Sequence, residues 1–354
     1  MSNFKKEFTV KQHTPMIHFQ SDQHGATLRA TELKPKLDKF LLERVEGIPF
    51  KENANGHKSL DYKVTIRYKG VNQFDYPKAL VPRGESGYVA PYFSNDGISI
   101  EGQENIKLTF FSFNSSILQA IADNIELFFA FENFGTRQSK GFGSYHLETM
   151  TAKEFEQLLE KHENPTYKLK HGGSSPKDAL KKVDNFYKKL KAGLNPRANN
   201  QVPYKSLLFN YMCTEDKGWE KKWLKENFPQ IIYGDHEPYN CKPPSEFFYI
   251  RAVLGLAEHN EYSPPNQAKL QIKIKAGDNN SIERFKSPIT FKIFENSIYL
   301  LFSKSYEEIL NKEFIFRLGN TEHALFTPSV FSLENFLNYV ADNENLLIRL
   351  GGKA

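Results

Sequence analysis

The first 150 residues switch between two hydrophobic periods in a fixed order, and that order restricts the possible folds more than any single motif. "KEFTVKQHTPMIHF" alternates as a strand, with Pro15 at its end or at a bulge. "TELKPKLDKFLLERV" then places Leu33, Leu37, Phe40, Leu41 and Leu42 at helical spacing. A polar loop holding Asn53, Asn55 and Gly56 leads to "DYKVTIRYKG", where Tyr62, Val64, Ile66 and Tyr68 share one face and Lys63, Thr65, Arg67 and Lys69 the other. Half of that strand therefore faces water or a polyanion. A Pro- and Gly-rich excursion from Pro77 to Gly102 precedes a third strand, "NIKLTFFSF", alternating through Ile106, Leu108 and Phe110. "NSS" caps a second helix whose stripe of Ile117, Ile121, Ile125 and Phe128/Phe129 is wide enough to face a core. The helix stops at Gly135, and "GFGSYHLETM" resumes as a strand.

Strand, helix, strand, strand, helix, strand is the split βαβ order of a ferredoxin-like domain, here over residues 1–160. With 354 residues the chain has room for two domains. Between Lys161 and Lys205, eleven Lys or Arg stand against three Asp or Glu, so 161–201 reads as a basic linker. "SPKDALKKVDNFYKKLKAG" inside it predicts a helix capped by Ser175, with Pro176 in its first turn and Gly193 at its end. Its lysines fit a solvated linker helix as well as an RNA-facing one. Residues 202–354 predict a second α+β domain: "AKLQIKIKAG" as a strand, "SPITFKIFENSIYLLFSKS" as a hairpin turning at Glu295-Asn296, and "SLENFLNYVADNENLL" as a terminal helix.

Hydrophobic residues make up 39% of the chain and charged residues 25%, which is too apolar for a disordered protein. The net charge of +5 suits an anionic partner and equally a soluble basic protein. Cys213 and Cys241 form neither a CxxC nor another metal spacing, so neither a zinc site nor a disulfide framework is expected. No apolar signal core and no run near ~18 apolar residues occurs, so a cytoplasmic protein without a membrane partner is expected.

The stretch "FENFGTRQSKGFGSYHL" joins the second helix to the last strand of the first domain. Gly135, Gly141 and Gly143 can take positive φ and bring a polymer close to free backbone N–H groups, with Arg137 and Lys140 adding charge. The same glycines also serve a tight helix-to-strand connection with no ligand at all. A dinucleotide fingerprint follows a strand and opens a helix, the reverse of this order, so no nucleotide cofactor and no small-molecule substrate are expected.

"GTRQSKGFGS" after an apolar helix resembles the glycine-rich loop of the repeat-associated mysterious proteins (RAMPs), the RNA-binding subunits and processing nucleases of CRISPR systems. "TPMIHFQSDQHGATLRATELKPKLDKFL" is similar to the N-terminal region of the first subunit of Cmr (type III-B) effector complexes, and "RFKSPITFKI" resembles the Arg-x-x-Ser-Pro strand of that family's second domain. The resemblance implies an α+β chain of two ferredoxin-like (RRM-like βαββαβ) domains in tandem. It also implies a non-catalytic subunit that binds guide RNA, target RNA or both, beside other CRISPR effector subunits in antiviral defence. Family members usually carry Ser-x-Lys-Gly and then an Arg at the start of the first helix. Here Lys34 keeps the cation, Pro35 replaces the glycine and Asp38 stands where the arginine would. Pro35 is acceptable in a first helical turn.

The RNA-binding set expected on these grounds is Arg29, Lys34 and Lys36 around the first helix start, Gly135, Arg137, Lys140, Gly141, Phe142 and Gly143 on the turn, and Arg284 in the second domain. Phe142 or Tyr145 could stack on bases, with core packing as the other reading of Phe142. Metal-independent RNA cleavage needs an acid and a base near the 2′-OH. His13 and His18 differ by five and point to opposite faces of a strand, while His24 and Asp22 fall in the following turn without a second carboxylate nearby. His146 reads as a strand-surface residue, with RNA contact as its alternative. No catalytic residue, metal or cofactor is assigned. The rival reading is a guide-processing RAMP endoribonuclease, a class that usually carries its glycine-rich loop near the C-terminus.

Overall fold

In the computed structural model, described over residues 4–16, 28–68, 71–73, 101–103, 105–160, 164–173, 175–193, 204–230, 246–256, 259–262, 270–278 and 281–351, the period-two segments form strands. His18, Asp22 and His24 lie outside the described residues. Strand β1 (Lys5–Gln12) turns Val10 and Gln12 inward and Lys5, Thr9 and Lys11 outward. Helix α1 (Ala30–Arg44) buries Leu33, Leu37, Phe40 and Leu41, as their spacing demands. It starts at Ala30, so Pro35 is its sixth residue and not a first-turn proline. The missing N–H of Pro35 leaves one helical hydrogen bond unmade on an exposed face.

Strands β2 (Lys63–Arg67) and β3 (Ile106–Phe111) are followed by α2 (Ser115–Phe131), whose N-cap Asn114 accepts from the Ser116 N–H at 2.9 Å. Strand β4 (Tyr145–Leu147) completes a sheet of order β2-β3-β1-β4, antiparallel throughout. Phe8 pairs with Leu108 and Val10 with both Ile106 and Leu147. One sheet face and both helices enclose a core of Leu33, Leu37, Ile106, Leu108, Phe110, Ile121, Ile125 and Phe128.

Helix α3 (Ala152–Glu160) opens on a capping box between Thr151 and Glu154, and β5 (Thr166–Leu169) follows. The basic segment is the predicted helix, α4 (Pro176–Lys191), capped by Ser175 Oγ accepting from the Asp178 N–H and ended at Gly193 with φ +70°. It buries Ala179, Leu180, Val183, Phe186 and Leu190 while Lys177, Lys181 and Lys188 face water, so it is a packed amphipathic helix and not a free spacer.

Further along the chain, besides short 3-10 turns, come α5 (Leu207–Thr214), β6 (Lys217–Trp219), α6 (Glu220–Asn227), β7 (Glu246–Phe248), β8 (His259–Tyr262), β9 (Leu270–Ala276), β10 (Ile289–Phe294), β11 (Ser297–Phe302), β12 (Glu313–Leu318), β13 (Thr321–Phe326), α7 (Leu333–Glu344) and β14 (Leu347–Leu350). Helix α7 buries Phe336, Leu337 and Val340 as expected. Cys213, in α5, is disulfide-bonded, which the sequence did not lead one to expect.

The chain divides into two compact units that interleave in sequence. The first is Met1–Val183, Thr290–Leu301 and Ile348–Ala354; the second is Asp184–Ile289 and Phe302–Leu347. The linear division at 160 and 202 is therefore not how the chain packs. The hairpin β10–β11 turns at Glu295-Asn296 as predicted, but it joins a sheet of order β10-β11-β5-β14, most of which belongs to the first unit. Ile289, Phe291, Ile293, Ile298, Leu300 and Leu301 are all buried, so the hairpin needs cover on both faces. The second unit holds an antiparallel sheet of order β8-β9-β12-β13. Among the described residues it carries no second split βαββαβ arrangement, which corrects the tandem expectation. No helix among the described residues is long and apolar enough to cross a membrane.

Candidate nucleic-acid interface

Helix α2 ends where the Glu132 N–H closes on Phe128 O at 2.9 Å, and the glycine-rich turn begins. A bridge between Asn133 and Ser144 and the bond from the Phe134 N–H to Gly143 O, 3.0 Å, tie its base. Gly143 has φ +66°, and a β-carbon there would meet Phe134 O at 1.9 Å, so only glycine fits.

Three other segments hold the turn. From the end of β1, Pro15 O accepts from the Gly143 N–H at 2.9 Å, and Thr14 Oγ1 donates to Gly141 O at 2.7 Å. From α1, Glu32 Oε1 accepts from the Gly135 N–H at 2.7 Å. Lys36 Nζ donates to Asn133 O at 2.6 Å and to the Gln138 side chain. From β10, the Phe291 N–H donates to Ser139 O at 3.1 Å, and Ser144 Oγ donates to Ile293 O at 2.6 Å. Lys292, fully buried, donates to Glu132 O at 2.7 Å and Asn133 Oδ1 at 3.0 Å; burial pushes its pKa well below the usual lysine range.

This geometry revises several expected contacts. The amides of Gly135, Gly141 and Gly143 are all taken, the second by Gln138 O at 3.2 Å, so these three do not form an open phosphate nest. Phe142 is 4% exposed and Tyr145 is fully buried, which places both rings in the core and not on a stacking surface. Lys34 is held by Asp38 Oδ2 at 2.6 Å and Leu60 O at 2.8 Å. The aspartate that replaces the family's arginine thus holds the cation beside it. Arg29 is exposed at the α1 N-cap, while Arg137, with φ +54°, and Lys140 are half-buried on the turn. Arg284 is exposed in the second unit. The Lys140 Nζ is buried, and the Lys36 Nζ is spent on Asn133 O and the Gln138 side chain, so Lys34 and Lys36 serve as structural cations, while Arg29 and Arg137 stand on the two segments that the bond from the Gly135 N–H to Glu32 joins.

The histidines near β1 are walled in. His13 stacks on Phe294 at 4.9 Å, meets His146 edge-on at 4.8 Å, and accepts on Nδ1 from the Glu295 N–H at 2.9 Å. Burial first, then Lys11 and Lys292, push its pKa down to about 3. His146 is completely buried, not on the strand surface as expected, and burial lowers its pKa too. Glu32, Thr14, Asn133 and Lys292 escaped sequence reasoning. Only Lys292 left a mark there, as a lone charge inside the apolar run "ITFKIF".

A mixed α/β chain in two units, with Arg29 and Arg137 on segments joined at a locked glycine-rich turn, is the class of protein that fold and site define. Two family domains match it: the Cmr1 N-terminal domain over residues 3–194 and the Cmr1 C-terminal domain over residues 204–350. The chain belongs to the Cmr1 family, the RAMP proteins of type III-B CRISPR systems. The crystal structure of Cmr1 from Pyrococcus furiosus, in its apo form, is similar at 10% identity and a TM-score of 0.42 over 99% of both chains. No curated protein matches the sequence.

Proposed function

We propose that this chain is a non-catalytic, RNA-binding subunit of a type III-B CRISPR ribonucleoprotein. It holds the 3′ portion of the guide RNA, or the target paired to it, beside neighbouring effector subunits. Family membership supports the class. The observation that carries the RNA contact is the pair of bonds from the Gly135 N–H to Glu32 and from Lys36 to Gln138, which join the segments bearing Arg29 and Arg137, about a hundred residues apart, at one edge. Cations aligned on one edge suit a phosphate chain, with affinity that falls as salt rises. The turn then serves as a rigid mount for Arg137, and the nucleotide strand is met by side chains and not by glycine amides.

We infer further that the first unit is ferredoxin-like, because strand order β2-β3-β1-β4 with both helices on one face is what βαββαβ connectivity gives when the first and third strands lie centrally. Against the endoribonuclease reading stands the burial of His13, whose ring packs on Phe294 and His146 and whose Nδ1 is taken by the Glu295 N–H. Incubation with labelled repeat RNA in chelator tests the choice. Intact RNA is expected, and specific cleavage abolished by His13→Ala or His18→Ala would overturn it. Arg29→Ala with Arg137→Ala should weaken single-stranded RNA binding about tenfold at moderate salt.

A further inference from the structure

The face of the first sheet opposite α1 and α2 carries a pattern that the glycine-rich turn does not explain. Phe111 lies in register with Lys5 on β1 and Lys63 on β2, with its side chain on the outer face. Beside it Phe113 is 82% exposed and Phe4 44% exposed. Phe113 contacts Phe111 edge-on at 5.1 Å and Phe4 at 5.8 Å, so three rings form one exposed cluster at the end of the sheet.

The charge around them is one-sided. Lys5, Lys11, Lys63, Arg67 and Lys107 are exposed along this face against a single strand carboxylate, Glu7. Glu7 is held by Lys107 at 2.7 Å and Lys5 at 2.5 Å, and Lys107 first, then Lys5, push its pKa down to about 2. Asp61, at the same end, is paired with Lys51 at 2.8 Å. Lys63 and Arg67 make no ion pair among the described residues. Neighbouring strands lie about 5 Å apart, so a base stacked on Phe111 has an ammonium group one strand away on each side, where its flanking phosphates would lie.

We propose that this open sheet face is a second interface for single-stranded RNA, with Phe4, Phe111 and Phe113 stacking on bases and Lys5, Lys63, Arg67 and Lys107 neutralising phosphates. Rings give sequence-tolerant stacking and the cations supply charge, the two parts that a single strand requires. The proposal rests on the reading of the chain as an RNA-binding subunit.

The test measures binding of fluorescein-labelled 20-nucleotide single-stranded RNA to the full chain. The variants are Phe111→Ala with Phe113→Ala, Lys63→Glu with Arg67→Glu, and Arg29→Ala with Arg137→Ala, with unfolding midpoints checked for each. Both sheet-face pairs should weaken binding at least tenfold, and ultraviolet cross-links should map to peptides containing Phe4 or residues 111–113. Binding within twofold of the parent for both sheet-face pairs, while the Arg29/Arg137 pair weakens it, overturns the sheet face and leaves the RNA-binding reading standing. Loss of association with other effector subunits at unchanged RNA affinity also overturns it, and marks a protein-docking face. A parent chain without RNA affinity fails the underlying reading and this proposal together.

Discussion

The Lys292 side-chain nitrogen donates to the backbone carbonyl of Glu132 at 2.7 Å, from a strand 160 residues further along the chain. The same group reaches Asn133 Oδ1 at 3.0 Å and Tyr145 O at 3.4 Å, so one buried side chain ties the end of α2, the base of the turn and the start of β4. A turn that looks from its glycines like a flexible ligand loop is fastened from inside the protein.

Lys292→Met removes the donor and keeps the aliphatic volume. It leaves buried acceptors without their partner, so it should destabilise the protein by about 2–4 kcal/mol. Urea unfolding measures this directly. An unchanged midpoint would mean that the turn holds without the lysine.

Glycine substitutions should separate by position. At Gly141, φ is +87° and an added β-carbon would lie 2.9 Å from Ile293 Cδ1, the movable end of a side chain. Gly141→Ala should cost about 1–2 kcal/mol, mostly backbone strain. Gly143→Ala puts its β-carbon against backbone atoms of Phe134 and should cost at least twice as much. Thermal melts of the two variants give the order.

Acid should destabilise the first unit through His13. Its pKa is about 3 in the folded chain against an ordinary 6.5, so the unfolded state binds more protons between those values. Stability from this group is complete above pH ~6.5 and is lost as pH falls toward 3. His146, Lys11 and Lys292 face it, and protonation removes the Nδ1 acceptor used by Glu295. Unfolding free energy should fall between pH 6.5 and 5, with a shallower slope in His13→Phe; an identical slope in the variant rules the histidine out.

Lys34 should behave as a structural residue. It bridges Asp38 and Leu60 and lies 4.1 Å over the Tyr62 ring. Lys34→Met is expected to lower stability by about 1–3 kcal/mol while changing RNA affinity less than threefold. Paired unfolding and binding assays distinguish this from the reverse pattern, which would return Lys34 to the interface.

The first unit was legible because its strands and helices alternate cleanly: Ile106, Leu108 and Phe110 point inward and the Ile117-to-Phe129 stripe faces the same core. The return of β10–β11 to that unit was not, because strand periodicity records which faces are buried and not which partner covers them. Gly141 and Gly143 stood out in the sequence, but whether positive φ serves a ligand or a close packing contact depends on Ile293 and Phe134, neither of which a local pattern names. Arg29 and Arg137 were found by charge and remain on the joined segments. Lys34 was found by the same signal, yet Asp38 four residues on already carried the information that it would be paired.

Single-stranded RNA binding to the full chain across a salt series tests the RNA-binding assignment most directly. Log affinity should fall linearly with log salt at a slope of about −0.7 per phosphate neutralised, and Arg29→Ala with Arg137→Ala should flatten that slope by one to two phosphates' worth. Absent binding, or affinity indifferent to both salt and those substitutions, would contradict it.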